Sequence, residues 1–246
     1  MSREIISPEG LRMDGRRPKE IRKIACELGT FHRADGSAQF SQGQTTVVAS
    51  VYGPREPRRR TESLHDRCLV TCDYTIASFA TGERKNPAKG DRRTKELGLV
   101  IKQTFESAIL THLFPRSQIS IHVQVLLDDG GAPAAAINAV SLALVNAGIP
   151  MKEMVCACSI GYTEGTPLLD LNLMERGIGG PQMYIAIYPN SQKVATIQME
   201  SKLGLEHLED VLNLGKQGCS KIYESLCKEI KDYSFGILHS RGFVPS

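Results

Sequence analysis

The stretch that most constrains this chain runs from Gln118 into the residues after Gly131. Ile119, Ile121, Val123, Val125 and Leu127 alternate with Ser120, His122 and Gln124, which is the period of a strand with one buried face. Asp128-Asp129-Gly130-Gly131 then turns the chain, and an alanine-rich segment follows in which Ile137, Val140, Leu144 and Val145 recur at helical spacing until Gly148 and Pro150. Strand, glycine turn and helix start together form a common phosphate cradle, because the free N–H groups of a helix N-terminus face the anion. Here the helix opens on Ala132 and Pro133, which supply no side-chain donor, and Pro133 also lacks a backbone N–H. The sequence builds the cradle and withholds its donors.

Period-2 patterning recurs elsewhere. Val70, Cys72, Tyr74 and Ile76 alternate with Thr71, Asp73 and Thr75, and 45–52, 154–162, 183–188 and 194–199 are further strand candidates. Leu97, Ile101, Phe105, Ala108 and Ile109 predict a helix from about Arg92 to Leu113 with Asp91 as N-cap. A third helix is predicted from Leu205, Leu208, Leu212, Gly215, Cys219, Ile222 and Leu226. The order is an α+β (mixed α/β) arrangement of two related β-rich halves, each closed by a long helix. With no linker-like composition, 1–246 reads as a single domain with pseudo-repeated halves at about 15–115 and 116–231, and 232–246 as a flexible tail.

No run of about 18 apolar residues is present, so no membrane span is expected, and the charged N-terminus with Pro8 does not read as a signal peptide. The seven cysteines have no metal-ligand spacing and read as reduced thiols. No cofactor is expected.

The net charge is +3, but residues 53–95 alone carry +5. This points to a polyanion on one face, a solvated pair of loops being the alternative. Seven of the eleven basic residues fall in two loops, 53–63 with Arg58 and Arg60 and 79–91 with Arg84 and Lys85, which can share an edge and touch a phosphate backbone. Phe79 is their only aromatic residue, so base stacking is not expected. Arg92 and Arg93 open a predicted helix, where cations oppose the helix dipole. An anion bound there reverses that sign.

Asp170 ends a short apolar run, and Glu175 and Arg176 follow a turn. Paired carboxylates in such a place can hold a divalent metal, but Arg176 would repel it, and an Asp170–Arg176 ion pair is the expected local structure.

"LRMDGRRPKEIRKI", "ADGSAQFSQGQTTVVASVYGPRE", "FPRSQISIHVQVLLDDGG", "INAVSLALVNAGIPM" and "LLDLN" resemble the RNase PH family over roughly residues 7 to 230, and within it the ring subunits of the RNA exosome. The resemblance implies the RNase PH fold of two βαβ-type halves. It implies phosphorolytic 3′-to-5′ exoribonuclease chemistry in active members, with phosphate held by a Ser/Thr-Arg pair after the Gly-Gly turn and by an arginine at a helix start, and a metal supported by two aspartates. Carried over, Arg93 and Asp170 match, whereas Ala132, Pro133 and Arg176 replace the pair and the second aspartate, and Gln182 stands where active relatives often carry an acid. The expectation is a catalytically inert subunit without a metal, with Arg58, Arg60, Arg84, Lys85, Arg92 and Arg93 binding single-stranded RNA. The implied partners are other RNase PH-like subunits in a six-membered ring, S1/KH-type cap subunits and a hydrolytic nuclease. The implied setting is rRNA processing and RNA decay in nucleus, nucleolus and cytoplasm. An active phosphate-dependent exoribonuclease is the alternative.

Overall fold

The structure, a computed structural model, describes residues 6, 7, 9–57, 59, 61, 63–82, 84, 91–163 and 165–242. Two sheets face a shared helical layer. The first, in the order β1-β2-β3-β5-β4, comprises β1 (Ile24–Leu28), β2 (Gly36–Gln42), β3 (Thr45–Arg55), β4 (Leu69–Ile76) and β5 (Gln118–Leu127). The second, in the order β7-β6-β8-β9, comprises β6 (Cys156–Thr163), β7 (Thr166–Leu169), β8 (Gln182–Tyr188) and β9 (Lys193–Met199). The helices are α1 (Arg92–Ala108), α2 (Ala132–Asn146), the short α3 (Leu173–Gly177) and α4 (Leu205–Ser240). The α+β class is as expected.

The alternation is realised from Ile119 to Val125: Ile119, Ile121, Val123 and Val125 are buried, while His122 and Gln124 face solvent; Leu127, expected on the buried face, is exposed at the strand's end. They pack against α2, twelve of whose 15 residues are buried. A helix buried on nearly every side must be small-residued where a sheet approaches it. Gly36 of β2 shows the limit, since a Cβ there would lie 2.3 Å from the Ala143 carbonyl oxygen. From its other side α2 is pinned to β6 by Asn138, which donates to the Ala157 carbonyl at 2.9 Å and accepts from the Ala157 N–H at 2.8 Å.

Three expectations are corrected. The half boundary at 116 does not coincide with a sheet boundary, because β5 pairs with β3 and β4 and belongs to the first sheet. Helix α1 ends at Ala108 rather than Leu113, since Ile109 turns extended and bridges Met151; a 3-10 turn follows at Thr111–Leu113. The segment from 232, expected to be a flexible tail, continues α4 through Ser240. Asn146 donates to the Tyr233 hydroxyl at 3.0 Å and fastens that continuation to α2. No helix among the described residues is long and apolar enough to cross a membrane.

Candidate functional site: a phosphate cradle closed from within

The end of β5, the start of α2, the segment from β7 into α3, the end of β9 and the start of α1 meet at the Gly-Gly turn. Gly130 takes φ +93° and Gly131 φ +74°. A Cβ on Gly130 would sit 2.5 Å from the Leu171 carbonyl oxygen, so only glycine lets the turn approach the segment after β7 that carries Asp170. The turn opens α2 without any side-chain cap, with a proline in the first turn as read from the sequence. Positions 132 and 133 contribute no hydroxyl and no guanidinium to the cleft.

Asp170 is 1% exposed, and its partner is not Arg176. The Arg22 guanidinium takes both carboxylate oxygens, Nε to Oδ2 at 2.9 Å and Nη2 to Oδ1 at 2.7 Å, the Arg22 backbone N–H donates to Oδ2 at 2.9 Å, and Arg16 adds a fourth contact at 3.4 Å. Arg22 also donates to the Asp129 carbonyl at 2.8 Å and the Gly130 carbonyl at 3.0 Å, and meets the Asp129 carboxylate at 3.2 Å. Burial works against the Arg22 charge, but the hydrogen bonds and charges of Asp170 and Asp129 outweigh it and hold its pKa above the ordinary value. A divalent metal needs oxygen ligands free to turn toward it. Asp170 has none free, and Arg176 stands at the second position, so these residues do not fit the metal that the family resemblance implies.

Arg176 turns the other way. Helix α3 is set by a capping box, in which Asn172 accepts from the Glu175 N–H at 2.9 Å and Glu175 accepts from the Asn172 N–H at 3.0 Å. The box points Glu175 inward to Arg12, with both side chains fully buried, and turns Arg176 across the cleft. There Arg176 lies 3.7 Å from the Asp128 carboxylate and 3.9 Å from Glu200. Glu200 also accepts from Arg93 at 2.8 Å. The sequence called for an anion at the start of α1, and the anion present is a protein carboxylate. Gln182 donates to the Arg176 carbonyl at 3.1 Å on the same wall. An exposed pair such as Arg93–Glu200 is worth only about 0–1 kcal/mol, but an incoming phosphate must displace it.

Arg92 and Arg93 both lie exposed at the first turn of α1, where Asp91 occupies the N-cap position without a side-chain hydrogen bond. Arg84 is exposed as well. Arg58, Arg60 and Lys85 lie outside the described residues. The expectation that the two basic loops share an edge is corrected by the strand register. Arg55 and Leu69, which flank the first loop, both pair with Gln118, whereas Ile76, where the second begins, pairs with Val125. The loops leave opposite ends of the sheet, roughly 25 Å apart along the strands. Sequence reasoning missed Arg22 and Glu200. "EIRKI" placed Arg22 in the matching motif without a role, and nothing in the sequence marked Glu200.

Residues 20–150 match the 3′ exoribonuclease family, domain 1, and 153–218 match domain 2. The chain belongs to this RNase PH family. Among its relatives, exosome complex component RRP41 of Mus musculus is 50% identical over 91% of each chain, and the RRP41 homolog of Arabidopsis thaliana is 47% identical over 93% of this chain and 95% of its own. The crystal structure of rice (Oryza sativa) Rrp46 superposes with a TM-score of 0.80 at 28% identity, covering 89% of this chain and all of that one. An Archaeoglobus fulgidus exosome chain, in a structure with RNA bound to the active site, shares the fold with a TM-score of 0.76 at 20% identity over 88% and 93% of the two chains.

Proposed function

We propose that this chain is a catalytically inert RNase PH-like ring subunit of the RNA exosome, binding single-stranded RNA and passing it to an associated hydrolytic nuclease. The relatives named as exosome components support membership of the complex. One observation carries the inertness: the cleft's cations and carboxylates are engaged with each other, Arg93 and Arg176 with Glu200 and Asp128, and Asp170 with Arg22. With Ala132 and Pro133 replacing the donor pair, the cleft holds neither the attacking phosphate nor a metal beside it. Neighbouring RNase PH-like subunits in a six-membered ring, S1/KH-type caps, rRNA processing and RNA decay, and a nuclear, nucleolar and cytoplasmic location belong to the same proposal.

The test concerns the basic helix start. Replacing Arg92 and Arg93 by glutamine in the reconstituted complex weakens RNA affinity by about tenfold and flattens the salt dependence by roughly 0.7 for each phosphate no longer neutralised. Glutamine is preferred to glutamate because a carboxylate at 93 would face Glu200. An assembled mutant complex with wild-type affinity and salt slope would show that these arginines are a solvated face.

A further inference from the structure

Phe79 lies in the turn after β4 and is 68% exposed. It is not loosely held. Ala77 and Ala80 on either side are buried, and the Ala77 N–H donates to the Val125 carbonyl at 2.9 Å. The Ala80 N–H closes the turn on Ala77 at 3.0 Å, and its carbonyl accepts from the Asp128 N–H at 2.9 Å. The ring is therefore presented outward by a turn fastened both to β5 and to the first residue of the Gly-Gly turn. Bringing it inward would break those bonds, and leaving it outward forgoes its burial.

What covers the ring follows from its surroundings. Asp128 joins the turn to Arg176, and Glu200 joins Arg176 to Arg93, so Phe79 belongs to the rim of the same cleft. Its described neighbours in the loop are small or polar, Ser78, Thr81, Gly82 and the exposed Arg84, with no second large apolar side chain among them. A protein partner would want an apolar cluster there. A single aromatic face in a loop that also carries the exposed Arg84, on a turn whose partner Asp128 meets Arg176, suits one nucleotide, its base on the ring and its phosphate on an arginine.

We propose that Phe79 is a base-stacking platform for single-stranded RNA at the mouth of the closed cleft, against the expectation from composition. The proposal rests on the RNA-binding reading above and adds a contact that is not electrostatic. The test uses the reconstituted complex, a uridine-rich RNA oligomer, and the same oligomer with one abasic nucleotide moved along it. Phe79→Ala lowers affinity by about tenfold with an unchanged salt slope, while Phe79→Trp retains wild-type affinity. In the wild type one abasic position reproduces the loss, and in Phe79→Ala that position weakens binding no further. If wild type binds RNA and neither Phe79→Ala nor any abasic position weakens it, the platform is refuted while the RNA reading stands; a wild-type complex that binds no RNA refutes both. A Phe79→Ala chain that folds but no longer assembles makes Phe79 a protein contact and also overturns the proposal.

Discussion

Replacing Arg22 by methionine destabilises the chain by about 3–5 kcal/mol, the cost of leaving a buried charge without its partner. Methionine has nearly the reach of the arginine stem, so packing changes little and the lost term is electrostatic. Asp170 would retain only the Arg22 backbone N–H at 2.9 Å and the 3.4 Å contact from Arg16, the Asp129 carbonyl would lose its donor, and the Gly130 carbonyl would keep only the Thr45 hydroxyl at 2.8 Å. Unfolding in denaturant measures the loss. Adding Asp170→Leu recovers part of it, because removing both members of a buried pair is far less destabilising than removing one. A single mutant within about 1 kcal/mol of wild type would mean that Arg22 does not hold the turn.

Arg12→Met has an effect of similar size, about 3–5 kcal/mol, at the far side of the same segment. Arg12 and Glu175 are both fully buried, with Nε to Oε1 at 2.7 Å, and Arg12 also donates to the Leu169 carbonyl at 2.6 Å and the Asp170 carbonyl at 2.8 Å. Glu175 is in addition the return arm of the α3 capping box, so its loss of partner loosens the turn that aims Arg176. The melting temperature falls by roughly 10 °C. Glu175→Gln in the Arg12→Met background restores part of the stability, since the amide still accepts from Asn172 and carries no charge. A melting temperature unchanged by Arg12→Met would show the pair to be dispensable.

Periodicity made most of the framework legible. The strands at β3, β4, β5, β6, β8 and β9 and the bodies of the three long helices all carry apolar residues at regular spacing. Strand β2 does not, because of its inward positions Gly36, Ala38 and Phe40 only the last is large and apolar, and Gly36 is held small by its contact with α2. Helix α3 is five residues long, and its signal lies in a cap and not in a period. At the site, Ala132, Pro133, Arg93, Asp170 and Arg176 were all marked by the sequence, but their partners were not. Arg22 lies 148 residues from Asp170 and Arg93 lies 107 from Glu200, separations that only the fold closes. Asp170 and Arg176 lie six residues apart and do not pair, because the α3 cap sends Arg176 across the cleft to Asp128 and Glu200.

The proposed inertness rests on a cleft whose charges engage one another, and the most direct measurement is of phosphate-dependent chemistry. The reconstituted subunit complex, freed of its hydrolytic nuclease, is incubated with 3′-labelled single-stranded RNA, Mg²⁺ and inorganic phosphate, and nucleoside diphosphates are followed. The expected result is no release above the phosphate-free control, for wild type and for Pro133→Arg alike, since restoring one guanidinium leaves Arg176 and the missing hydroxyl in place. Diphosphate release that requires phosphate and disappears on Asp170→Asn would contradict the inertness, and would make this cleft a working phosphorolytic site.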